Sequence, residues 1–140
     1  MTLINGTCVA IDGQGVLIRG PSGSGKSDLA LRLIDAGAHL ISDDYCRADL
    51  SGGALTLTAP PEIKDKLEVR GYGIVNLAAQ DSAKVVLVVD LAPESEIARM
   101  PDLNTCNVEG VTLNHLRVDA RTPSAPAKVR LALRTKPEND

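Results

Sequence analysis

The chain has no phenylalanine, no tryptophan and only two tyrosines among its 140 residues. Any core must therefore be aliphatic, and there is no aromatic platform on which successive nucleic-acid bases could stack. Basic residues do not predominate either: 15 Lys and Arg against 18 Asp and Glu leave a net charge of −3, with the two signs interspersed. Without a basic stripe the electrostatic footprint of a nucleic-acid binder is missing, and nucleic acid is not expected as a partner. No apolar run approaches bilayer length, and Met1-Thr2-Leu3 starts neither the basic region nor the apolar stretch of a signal peptide. No membrane association is expected, and a cytoplasmic location is. Cys8, Cys46 and Cys106 are odd in number and far apart, which indicates neither a disulfide framework nor a zinc site. They read as small buried or half-buried residues. His39 and His115 have no partner histidine at metal-ligand spacing and read as structural.

What is present is concentrated in one motif. Gly20, Pro21, Ser22, Gly23, Ser24, Gly25, Lys26 and Ser27 form a complete phosphate-binding loop. It follows the apolar run Val16-Leu17-Ile18 and precedes the helical pattern Asp28-Leu29-Ala30-Leu31-Arg32-Leu33-Ile34. The glycines let successive N–H groups point inward at phosphate oxygens, and the helix dipole favours the bound anion. Lys26 is expected to reach the β- and γ-phosphates of a nucleoside triphosphate, and Ser27 to ligate magnesium.

At 44 % apolar, 140 residues suit a single domain spanning residues 1–140. Residues 3–11 read as a strand, 12–15 as a tight turn and 16–19 as a second strand, so the loop is expected to follow a hairpin. The helix beginning at Lys26 should stop at Gly37, before a strand over residues 38–42. Residues 48–58 read as a hairpin around Ser51-Gly52-Gly53, and Pro60-Pro61 breaks the chain. Residues 67–77, interrupted by Gly71 and Gly73, suit a strand and loop approaching a ligand. Residues 84–90, Lys-Val-Val-Leu-Val-Val-Asp, are the clearest buried strand. Residues 93–100 suggest a short helix, 111–118 a strand and 127–136 a closing helix. The expected fold class is α/β: a mixed β-sheet domain built around the phosphate loop and flanked by helices.

A phosphate loop needs a carboxylate to hold magnesium or orient the nucleophile, and two strand ends offer one. Asp90 closes an apolar strand in the generic manner of nucleotide hydrolases and kinases. Asp43-Asp44 closes another, where adjacent acids alternate faces and could serve separate roles.

Three stretches resemble one family. The loop with Asp28-Leu29-Ala30-Leu31, together with residues 37–44, resembles the ATP site of HPr kinase/phosphorylase. Leu67-Glu68-Val69-Arg70-Gly71-Tyr72-Gly73-Ile74-Val75-Asn76 resembles that family's signature segment. The resemblance covers the family's kinase domain alone and implies a fold like phosphoenolpyruvate carboxykinase. It implies transfer of a phosphoryl group from ATP, with Mg2+, to a serine of an HPr-like phosphocarrier protein. It gives Lys26 to the phosphates, Ser27 and Glu68 to the metal, and makes Asp44 the acid/base group. Arg70 would stabilise charge on the transferred group, and Arg99 matches a catalytic arginine near a subunit contact. A homo-oligomer is implied, a hexamer in the family.

Two departures bear on the reverse reaction, phosphorolysis. Asn5 stands where the family has an active-site histidine, and an amide cannot take up charge near neutral pH. Ala125-Pro126-Ala127-Lys128-Val129-Arg130 lacks the glycine of the segment important for dephosphorylation. Phosphorolysis is expected to be weak or absent. Two other readings stand beside the kinase: a generic nucleotide hydrolase or small-molecule kinase using Asp90, and a nucleotide sensor that holds ATP without transferring it.

Overall fold

The computed structural model describes residues 2–102 and 104–138. Its strands are β1 (Thr2–Asn5), β2 (Thr7–Ile11), β3 (Gln14–Arg19), β4 (His39–Ser42), β5 (Tyr45–Ser51), β6 (Ala54–Thr58), β7 (Lys66–Val69), β8 (Gly73–Asn76), β9 (Ser82–Leu91), β10 (Asn104–Val108) and β11 (Val111–Val118). The helices are α1 (Lys26–Asp35) and α2 (Ala125–Arg134). Nine strands form one mixed sheet: seven run in the order β1-β5-β6-β9-β3-β2-β4, and β10 and β11 branch from it, β10 paired with β11 and β11 with β9. β3 runs parallel to β9, and so does β11, while β6 pairs antiparallel with the first residues of β9. β6 and β11 thus share one edge of β9, taking its two halves in turn. β7 and β8 form a separate hairpin.

The core is aliphatic, as the missing aromatics require. One cluster lies between the sheet and both helices and includes Val16, Ile18, Leu29, Leu33, Leu87, Val89 and Val129. The other fills the opposite, curled face with Cys8, Leu17, Leu55, Leu57, Val88 and Leu113. Each fully buried Leu or Ile contributes about 1.5–3 kcal/mol, so a core of this size needs no large rings. Both helices pack on the same side, so "flanked" reduces to one face.

A bulge in β9 decides where its last acid points. The register with β3 pairs Gly15 with Val85 and then Val16 with Leu87, leaving Val86 as an extra residue. Side-chain alternation slips by one there. Val88 consequently joins Ala83 and Val85 on the curled face, Leu87 and Val89 turn to the helices, and Asp90 follows Val88.

Several sequence expectations are corrected. The strand over residues 3–11 is two strands, divided at Gly6, because β1 pairs with β5 whereas β2 pairs with β3 and β4. The helix expected over residues 93–100 is only a 3-10 turn, Glu94–Glu96. Pro93 starts it, and no residue of the turn is buried to hold a longer helix in place. β10 was not foreseen, and α2 begins two residues earlier than expected. No helix among the described residues is long and apolar enough to cross a membrane.

Candidate active site

The loop between β3 and α1 carries the site. Gly23 and Gly25 take φ of +81° and +102°, a region that disfavours other residues. Gly25 occupies the N-cap position of α1, where it offers no side-chain cap, so the first-turn N–H groups are left for an anion. A Cβ there would meet Ala120 Cβ at 3.0 Å, so glycine also permits the loop to lie against the chain after β11. The helix is held by burial of Leu29, Ala30 and Leu33. It ends in a Schellman closure, with Ala38 N donating to Leu33 O at 3.0 Å and Gly37 N to Ile34 O at 2.9 Å. Lys26 Nζ donates to the loop's own carbonyls, Gly20 O at 2.7 Å and Pro21 O at 3.2 Å, which holds the ammonium against the loop.

Beside the loop lies a cleft of about 540 Å³ to which Lys26, Ser27, Asp43, Asp44, Glu68 and Arg70 all contribute. Five of these were expected at the site: Lys26, Ser27, Asp44, Glu68 and Arg70. Of the loop residues, Ser22, Gly23 and Gly25 also border this cleft, while Pro21 and Ser24 border a second one described below. Gly20 supplies the carbonyl that holds Lys26. Arg99 lies exposed on the chain after β9 and lines neither cleft.

Asp43 is the hub that the resemblance left without a role. It is 8 % exposed, and its Oδ1 accepts from Ser27 Oγ at 2.7 Å and Thr7 Oγ1 at 3.0 Å. Its Oδ2 accepts from Glu68 N at 3.2 Å. One carboxylate thereby ties together the loop, β2 and β7. The Asp-Asp pair at the end of β4 was the sequence signal for it, but the partners lie 16 to 36 residues away.

Asp44 differs from its neighbour. Its backbone is fixed by Asp44 N donating to Thr7 Oγ1 at 3.2 Å and by Gly6 N donating to Asp44 O at 2.9 Å. It takes φ of +74°, an uncommon conformation for a side-chain-bearing residue and one that clusters at functional sites. Its side chain is exposed in the cleft. Glu68 and Arg70 come from β7 and the turn after it, where Leu67 points inward and anchors the hairpin. Asn5 is exposed at the end of β1, paired in register with Tyr45, and outside the cleft.

Asp90 is engaged elsewhere. Arg19 grips it with Nε to Oδ1 and Nη2 to Oδ2, each at 2.8 Å, and His115 Nε2 reaches Oδ2 at 2.7 Å. Partial burial opposes its ionisation, but the bonds from Arg19 and His115 outweigh this and hold its pKa below the usual carboxylate range. It borders neither cleft. His115 is thus structural, as expected, whereas His39 is exposed. Cys8 and Cys46 are buried and Cys106 half-buried. Burial, with the charge of Asp43, pushes Cys46 up to about 12, so it is no nucleophile.

A magnesium site fits these residues. Ser27, Asp43 and Glu68 present hard oxygen donors at the cleft, and Mg2+ beside a phosphate loop uses one or two protein oxygens plus substrate phosphates. No group of three or more His, Cys, Asp or Glu gathers at metal-binding distance among the described residues, so the protein supplies no full cage.

Comparison with known proteins adds a family, two relatives and a solved structure. Residues 1–128 match the family model described as HPr Serine kinase C-terminal domain. The HPr kinase/phosphorylase of Limosilactobacillus reuteri (strain DSM 20016) is 35 % identical over 134 residues, covering 85 % of this chain and 41 % of the relative. That of Brevibacillus brevis is 43 % identical over 86 residues, covering 61 % of this chain and 28 % of the relative. The chain therefore spans well under half the length of these curated relatives. The solved structure of the Hpr(Ser) kinase/phosphatase from Coxiella burnetii superposes with a TM-score of 0.84 at 23 % identity, covering 96 % of this chain and 95 % of that one. That likeness concerns the fold, a phosphate-loop kinase fold with a curled mixed sheet.

Proposed function

Because the chain belongs to the HPr serine kinase C-terminal domain family, we propose that it transfers the terminal phosphoryl group of ATP to a serine of an HPr-like phosphocarrier protein. The observation that carries this reading is the convergence on one cleft of the phosphate loop, the Asp43-Asp44 pair and the β7–β8 hairpin. The hairpin bears the stretch that distinguishes this family from phosphate-loop proteins in general.

The roles follow from the partners of each side chain. Lys26 neutralises phosphate charge, exchanging its loop carbonyls for phosphate oxygens. Ser27 and Glu68 would hold magnesium, which when bound would neutralise charge building on the phosphates. Asp43 already fixes Ser27 Oγ and the backbone of Glu68, so the donors are positioned in advance. Asp44, exposed in the cleft on a fixed backbone, accepts the proton of the acceptor serine hydroxyl as its oxygen bonds to phosphorus. Arg70 offsets charge on the group in transit. Arg99, outside both clefts, would act from a neighbouring copy, in keeping with the homo-oligomer that the resemblance implies. With the amide of Asn5 where the family has a histidine, phosphorolysis is slow. ATP as donor and a phosphocarrier as acceptor fit a cytoplasmic setting.

The test is incubation with magnesium, γ-labelled ATP and the HPr-like carrier of the same cell. Label on a carrier serine, abolished by chelating magnesium, is expected. Nucleotide binding without label on any carrier would replace the kinase by a sensor.

A further inference from the structure

A second cleft, of about 380 Å³, lies on the other side of the phosphate loop. Gly23, Gly25 and Asp28 border both clefts, so the loop is the ridge between them. Its far walls are the chain after β9, Leu91, Ala92 and Pro93, and the turn after β11, residues 119–121. These walls are braced. Asp119 Oδ2 accepts from Glu94 N at 3.0 Å, and its Oδ1 accepts from Arg121 N at 2.9 Å, which joins the two turns through one carboxylate. Arg32 of α1 donates to Ala120 O and Thr122 O, pinning the second turn to the helix that the loop begins.

The carboxylates here serve the walls. Both oxygens of Asp119 are occupied, and they also hold the Arg121 guanidinium, Nε and Nη2 each at 3.3 Å. That side chain is 80 % exposed, so the ion pair fixes its plane while leaving it accessible. Apolar surface from Leu91, Ala92, Pro93 and Ala120 completes the cleft. A planar cation over apolar walls suits a flat heterocycle, and in a chain without Phe or Trp an arginine plane is an available stacking surface.

We propose that this second cleft takes the nucleoside of the phosphoryl donor, with the Arg121 guanidinium lying against its base and Leu91, Ala92 and Pro93 opposite. The inference rests on the reading of the loop as a triphosphate site. It gives the donor a direction: the nucleoside lies on one side of the loop, and the reactive phosphate on the side of Asp44 and Arg70. With its carboxylates engaged, Asp119 by Glu94 N and Arg121 and Asp28 by Arg32, the cleft grips the ring by its faces.

The test compares binding of ATP and of inorganic tripolyphosphate by calorimetry, with circular dichroism to confirm folding. Wild type should bind ATP at least tenfold more tightly than tripolyphosphate. Arg121→Ala should weaken ATP binding about 5- to 30-fold while changing tripolyphosphate binding by less than twofold. Ala92→Phe, which fills the cleft and spares the Asp119 bonds, should do the same. If Arg121→Ala weakens both ligands equally, Arg121 binds phosphate and the inference is overturned. If neither variant affects ATP, or if wild type binds the two ligands alike, the nucleoside lies elsewhere while the phosphate-loop reading stands. If wild type binds neither ligand, both readings fall.

Discussion

β9 carries an aspartate next to its last residue and β4 is followed by two, and the two ends do different work. β9 delivers Asp90 to the curled face, where Arg19 and His115 saturate it. β4 delivers Asp43 and Asp44 to the phosphate cleft, where the first is consumed in holding the site and the second is exposed. An apolar strand closing on an acid is the same local signal in both cases. The difference lies in what stands opposite: a guanidinium one strand away in register with Asp90, against a hydroxyl of the phosphate loop at Asp43. A carboxylate whose oxygens are matched by a fixed cation has little left for a metal or a proton, and one held on a fixed backbone in an open cleft keeps its capacity.

The largest effect is expected at Asp43. Asp43→Ala leaves Ser27 Oγ, Thr7 Oγ1 and Glu68 N without their shared acceptor in a largely buried setting. Unfolding free energy should fall by about 3 kcal/mol and the thermal midpoint by roughly 10 °C, read by calorimetry. Magnesium-dependent transfer should fall by two orders of magnitude or more, on the order of what loss of a preorganised charge-stabilising contact costs.

Asp90→Asn should have a smaller effect of another kind. The pair is about one-third exposed, so solvent screening limits its worth to about 1 kcal/mol. The thermal midpoint should drop by a few degrees, with transfer within about twofold of wild type. A large loss of turnover at unchanged stability would return Asp90 to the metal.

A third strand-end acid, Asp119 after β11, sharpens the structural side of the contrast. The hydrogen bonds of Arg121 hold its pKa down to about 2, below the usual value near 4. A depressed carboxylate stabilises the fold fully above about pH 4 and loses that contribution as pH falls toward 2. Asp90, also depressed, acts in the same direction. The thermal midpoint of wild type should therefore decline between pH 4 and 2, and Asp119→Asn should flatten that decline.

The sequence revealed what local chemistry encodes. The phosphate loop, α1 with its Gly37 stop, the β5–β6 hairpin and the β9 run all carry their own signals of glycine placement, period or apolar length. β10 was hidden because Asn104, Thr105 and Asn107 break any apolar alternation, and an outer strand that, among the described residues, pairs with β11 alone needs none. The division at Gly6 and the bulge at Val86 are settled by partners across the sheet. The bulge in turn fixes the side to which Asp90 points, which no count along the chain could supply. At the candidate site, five residues that line the cleft were legible: Lys26 and Ser27 in the loop motif, Asp44 in the Asp-Asp pair after β4, and Glu68 and Arg70 in the hairpin segment. The hub role of Asp43 was not, since it consists of bonds to Thr7, Ser27 and Glu68 that only folding brings together.

Whether Asp44 takes the proton of the acceptor hydroxyl is decided by single-turnover transfer to the carrier in wild type and Asp44→Asn, both saturated with ATP and magnesium. The variant should bind ATP within a few-fold of wild type and transfer phosphate about 10²- to 10⁴-fold more slowly. Transfer at the wild-type rate in Asp44→Asn would contradict that role.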